Sequence, residues 1–135
     1  MTEEDLLEKY LEDKYKKLEK VTGGDCSFNT LCHINSVHNS LKHGYETHLV
    51  LYNVSFDGSK NEDEWVIHFI NYDSKHDRWI DNTIGEIARY TKYFHIRKIE
   101  EDEYGNISNI LTIYDEKLSD LKEKIHWDAV NEGGL

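Results

Sequence analysis

The chain has 135 residues, enough for one two-layer core and too few for two domains of ordinary size. Hydrophobic residues make up 38% and aromatic residues 12%, so a packed interior is within reach despite 32% charged residues, and disorder through the middle is disfavoured. The net charge of −11 has no basic stripe set against it, which argues against direct nucleic-acid binding, and no apolar run approaches the length of a membrane span.

That charge reads first as solubility and would also suit a partner with a basic groove. The N-terminus, "MTEEDLLEKY", is acidic where a secretory signal is basic and then apolar, so the expected location is the cytoplasm. In that reducing compartment the two cysteines stay thiols.

One domain over 1–135 is expected. Its first part, 1–22, reads as a helix over residues 3–21, with Leu7, Tyr10, Leu11, Leu18 and Val21 near one stripe and Gly23-Gly24 as the stop. The core is expected over 23–99. It begins with a second helix between Asp25 and His43, whose face is Ile34, Val37, His38 and Leu41 and whose end is Gly44.

The period then changes. "THLVLYNV" (47–54) and "EWVIHFINYD" (64–73) are rich in β-branched and aromatic residues, with a polar loop between them. "DSKHD" (73–77) is a turn and "RWID" (78–81) a short strand, so 64–81 reads as a hairpin. Residues 84–93 read as a short helix, "YFHIRKI" (93–99) as another strand and "EDEYGN" as a turn.

Ile107, Leu111, Tyr114, Leu118, Leu121 and Ile125 then step by four and three, the stripe of a helix over 105–130 docked on the sheet, ahead of a loose tail at 131–135. Two helices, then strands, then a helix make the class α+β.

Both cysteines lie in "GGDCSFNTLCHINS", residues 23–36, the least charged part of the chain. A thiol hydrolase needs a thiolate, a base, a group that orients the base, and donors for an oxyanion. A helix N-terminus favours the thiolate through its free N–H groups and its dipole. Cys26 fits a first turn if Asp25 is the cap, and Cys32 fits one if Thr30 is the cap. On one continuous helix the two thiols would point about 120° apart, so no disulfide joins them.

His68 lies between Ile67 and Phe69 on an apolar strand, where a histidine is either a satisfied core residue or a working one. With the hairpin turn centred near residue 75, it lies opposite Asp81 or Asn82, in reach of a group that fixes its tautomer.

"CHINS" followed by a helix and a glycine, then "HFIN" on a strand, then "WIDNT", resembles a group of small phage and bacterial proteins. Their pattern is roughly Cys-His-x-Asn-Ser, then His-x-Trp, then Asp-Pro-Thr. They look like minimal members of the papain-like and transglutaminase-like cysteine hydrolases. The resemblance covers about residues 32–83; Phe69-Ile70 and Asn82 depart from the pattern without removing a catalytic atom. It implies a papain-like core, a central helix on a small antiparallel sheet flanked by terminal helices. It also implies Cys32 as nucleophile, His68 as base and Asp81 as its orienting partner.

Cys26 stays the alternative nucleophile, because "GDCS" after a glycine pair also looks like a thiol entering a helix. Asn82 is the alternative partner of the imidazole. Asn29 is a candidate oxyanion donor, or a loop cap. Asn35 and Ser36, at i+3 and i+4 from Cys32, share its face and either shape the pocket or bond helix to loop.

The expected function is therefore a cysteine hydrolase or acyl transferase acting on a peptide, protein or small amide, with no cofactor. A metal site is disfavoured: there is no C-x2-C, and His33, His38, His43 and His48 step about 140° apart on a helix. The competing expectation is a non-catalytic acidic protein that binds a basic partner, such as a nucleic-acid enzyme, in the manner of a phage inhibitor.

Overall fold

The computed structural model describes residues 3–24, 31–54, 65–84, 88 and 91–131. Among them are three helices, α1 (Glu3–Lys14), α2 (Cys32–His43) and α3 (Ile107–Asn131), and six strands. The strands are β1 (Lys16–Leu18), β2 (Val21–Gly23), β3 (Glu46–Val54), β4 (Val66–Asp73), β5 (Arg78–Asp81) and β6 (Thr91–Ile99). The class is α+β.

The strands form one sheet in the order β1-β6-β3-β4-β5-β2, antiparallel except for the β2–β5 pair. The two edge strands are consecutive in the chain and joined only by Glu19 and Lys20. Two residues span no more than about 11 Å, so the sheet must curl until its edges nearly meet. Lys20 makes the join with a left-handed backbone, φ 58°.

This is the largest departure from the sequence reading, which continued the first helix to residue 21. Leu18 and Val21 extend the apolar stripe of α1, but both are buried inside the curl, one from each edge strand. Residues 16–18 and 21–23 are strands because long-range pairing with β6 and β5 outweighs a weak local helical period.

Alternation along each strand divides the core in two. The concave face holds Leu18, Val21, Val50, Ile70, Ala88 and Tyr93. The convex face, with Leu49, Leu51, Ile67, Phe69 and Phe94, packs against Leu7 and Leu11 of α1 and Ile107, Ile110, Leu118 and Ile125 of α3. The stripe predicted for α3 docks on the sheet as expected: Leu111, Tyr114 and Leu121 complete its inner face.

α2 ends at Gly44, which takes φ 75° and donates its N–H to the Ser40 carbonyl. Its buried face differs from the predicted one. Cys32, Ser36 and Ser40 are buried, whereas Ile34 and Leu41 are 51% and 66% exposed. The sheet residues beneath α2 are polar, so polar side chains at i, i+4 and i+8 face inward to bond them.

Candidate active site

Cys32 is the first residue of α2, behind Leu31 as N-cap. Leu31 has no oxygen to cap the helix, so α2 starts without a side-chain cap hydrogen bond. The thiol is buried, in the cluster beneath the helices.

β5 pairs only with Asn71, Tyr72 and Asp73 of β4. Nearer its start β4 has no strand on that side among the described residues, and there the beginning of α2 meets the sheet. Cys32 lies within hydrogen-bonding range of the His68 ring.

His68 Nε2 donates to Asp81 Oδ2 at 2.7 Å. The turn sets a register one or two residues beyond the predicted one, since Asn71 pairs with Ile80 and Tyr72 with Trp79. His68 and Asp81 are thus diagonal neighbours, displaced by two residues. A displacement of two keeps both on the same face and within reach of a long side chain. With Nε2 taken by Asp81, Nδ1 is the nitrogen left for the thiol.

Four donors converge on Asp81, which is fully buried. Oδ2 accepts from His68 and from the Tyr93 hydroxyl at 2.7 Å, while Oδ1 accepts the backbone N–H of Thr83 at 2.9 Å and of Ile84 at 3.2 Å. A buried carboxylate with that many donors is held ionised.

Burial opposes charge on both partners, and their attraction outweighs it. Asp81 stays below the usual carboxylate range because the His68 charge and the hydrogen bonds from His68, Tyr93 and Thr83 offset its burial. Burial alone would strip the proton from His68, but the charge and hydrogen bond of Asp81, then Cys32, raise its pKa to about 10. The site therefore favours an imidazolium between a carboxylate and a sulfur.

Two tyrosines complete the arrangement. Tyr52 stacks on the His68 ring, centroids 4.3 Å apart and planes 30° apart, and covers one face of the imidazole. Its hydroxyl is pushed up by burial and by the charges of Cys32 and Asp81, so it remains protonated. Tyr93 is pushed up further by burial and Asp81, which keeps it a donor. The sequence put both residues on strands, but only the pairing of Tyr52 with Tyr93 across β3 and β6 shows that they flank His68.

The secondary candidates hold the helix in place. Asn35 Nδ2 donates to Thr83 Oγ1 at 3.1 Å, tying the first turn of α2 to the residue whose N–H binds Asp81. The Ser36 carbonyl accepts from Asn71 Nδ2 at 2.9 Å and from the Thr47 hydroxyl at 3.2 Å. Asn82 Nδ2 donates to Asn71 Oδ1 at 2.8 Å, so its amide serves the helix anchor, while Asp81 holds the imidazole. Asn71, fully buried, is the hub of this network, and the sequence reading did not single it out.

Cys26 and Asn29 lie outside the described residues, as do 85–87, 89 and 90 of the predicted 84–93 helix and most of the tail, while residues 91–93 open β6 instead of closing a helix, because they pair with β3. Among the described residues no group of three or more histidine, cysteine, aspartate or glutamate side chains could hold a metal ion, and no helix is long and apolar enough to cross a membrane. No family model, no curated protein and no solved structure matches the chain.

Proposed function

We propose that this protein is a thiol-dependent acyl-transfer enzyme on a papain-like core, cleaving or exchanging an amide or related acyl bond. One observation carries the reading: a cysteine opening a helix sits against a buried histidine whose far nitrogen is held by an ionised aspartate.

In this reading the Cys32 thiolate attacks the substrate carbonyl carbon, and backbone N–H groups at the start of α2 receive the oxyanion. His68 donates its Nδ1 proton to the leaving nitrogen, the C–N bond breaks, and an acyl-thioester remains. His68, now neutral, takes a proton from water as that water attacks the thioester. The acid leaves, and the thiolate and imidazolium are restored. An amine in place of water gives transfer instead of hydrolysis. Asp81 keeps the imidazole oriented and favours its charged form in both steps.

Limiting iodoacetamide near neutral pH tests the reading, with the labelled peptide mapped. Fast, selective alkylation of Cys32 that slows about tenfold or more in His68→Gln supports it. Slow labelling, or equal labelling of Cys26 and Cys32 in the folded protein, overturns it and leaves an acidic binding protein on the same scaffold.

A further inference from the structure

The concave face carries a second cluster, on the other side of Val50 from His68. His48 Nε2 lies 2.8 Å from Glu46 Oε1, and His48 Nδ1 lies 2.8 Å from His95 Nε2. An irregularity makes the second contact possible. Leu49 pairs with Arg97 but Val50 pairs with His95, so Ile96 is an extra residue that swings His95 toward His48.

The protons follow from the acid. Ionised Glu46 accepts from His48 Nε2–H, so the Nδ1 of a neutral His48 must accept from His95 Nε2–H. The chain of bonds ends at His95 Nδ1.

These rings wall a cleft of about 560 Å³. Its aromatic centre is Trp79, with ring centroids 4.6 Å from Tyr72, 4.8 Å from His48 and 5.7 Å from His95. Trp79 is only partly buried, so part of its ring is left for a ligand.

The charges select which ligand. Glu46 is engaged through Oε1 by His48, and its Oε2 lies 3.9 Å from Lys98, which also has Glu100 at 4.0 Å. Lys16 is the cross-strand partner of His95 and shares its face. Among the described residues no carboxylate forms an ion pair with Lys16, although the protein carries a net charge of −11. The Lys16 charge, which repels a cation, thus stands beside the His95 ring over an aromatic floor. Burial, the His48 ring and the Lys16 charge hold His95 neutral while the cleft is empty of an anion.

We propose that this cleft binds a small aromatic carboxylate, with its ring against Trp79 and its carboxylate between Lys16 and His95. Lys16 Nζ donates to one oxygen. His95 Nδ1 takes a proton from water as the anion arrives and donates to the other. Val50, fully buried, stands between His95 and His68, which lie two strands or about 10 Å apart in one row of the sheet, and Tyr72 is four residues, or about 13 Å, along β4 from His68. The ligand is therefore separate from any acyl substrate, and the proposal stands without the chemistry assigned to Cys32.

Benzoate is the probe, with benzylamine and benzyl alcohol as charge-reversed and neutral controls, each titrated calorimetrically into the intact protein. Benzoate should bind saturably at one site, and neither control should match it. Lys16→Gln lies on an exposed edge strand, and it should weaken benzoate about tenfold with unchanged thermal unfolding, the loss of one charged hydrogen bond. His95→Gln should weaken it comparably. Glu19→Gln removes the remaining wall carboxylate and should tighten it. Absence of saturable binding, equal binding of benzylamine, or binding that survives both Lys16→Gln and His95→Gln overturns the proposal.

Discussion

Asp81 decides the chemistry of the candidate site at the scale of single residues. Its four donors include one side chain outside the proposed thiol–imidazole pair, Tyr93, whose hydroxyl shares Oδ2 with His68. Tyr93→Phe keeps the ring that fills the concave core and removes only that donor. A hydrogen bond to a charged acceptor contributes about 1.5–3 kcal/mol, so the variant should lose stability on that order in denaturant titrations. It should also tighten the pair electrically. With one donor fewer, Asp81 Oδ2 keeps more of its charge for the imidazolium, and the titration of His68, followed by the NMR shift of its ring, should move up from about 10. An unchanged midpoint would assign Tyr93 to packing alone.

At the scale of elements, the placing of Cys32 against His68 and Asp81 depends on how α2 is fastened to β4 and β5. Asn71, Asn82, Ser36, Ser40 and Thr47 form that fastening, and Gly24 makes room for it. A Cβ on Gly24 would stand 2.0 Å from Asn82 Oδ1 and 2.8 Å from an Ile80 methyl. Gly24→Ala should therefore displace Asn82, destabilise the protein by about 1–3 kcal/mol and slow Cys32 alkylation. Gly44→Ala, strained at φ 75° but with open space around it, should cost about 1–2 kcal/mol and leave alkylation nearly unchanged. Comparing the two by thermal melt and labelling rate separates loss of a helix end from loss of alignment.

These elements also show how far the sequence could be read. β3, β4 and β5 were legible because β-branched and aromatic residues crowd them, and α3 because its stripe is long. Strand pairing was not legible. It places Tyr52 over His68, turns Asn82 toward Asn71 instead of the imidazole, and recruits 16–23 into the sheet. The inner face of α2 was misread because apolar residues were assigned inward, whereas the sheet there offers Asn71 and Thr47. Asp81 was within the predicted reach of His68 because a diagonal partner shares the face of a direct one.

The whole molecule is a sheet curled around a core that contains an ion pair, and this gives its stability a distinct dependence on pH. Removing one partner of a buried pair costs about 3–5 kcal/mol, because the other charge is left uncompensated. His68 is raised in the fold, so its contribution is complete below the ordinary histidine value of 6.5 and fades as pH rises through about 10. Asp81 is lowered, so its contribution is complete above the ordinary value of 3.8 and fades as pH falls below it. The two windows overlap between about pH 4 and 6.5, where the pair stabilises most. Asp81→Asn abolishes the pair at every pH. The difference in unfolding free energy between wild type and Asp81→Asn should be greatest in that window, shrink steadily from pH 7 to 10, and shrink again below pH 4. A difference that stays level from pH 5 to 10 would mean that His68 is neutral in the fold. That result would remove the imidazolium from the proposed acyl transfer.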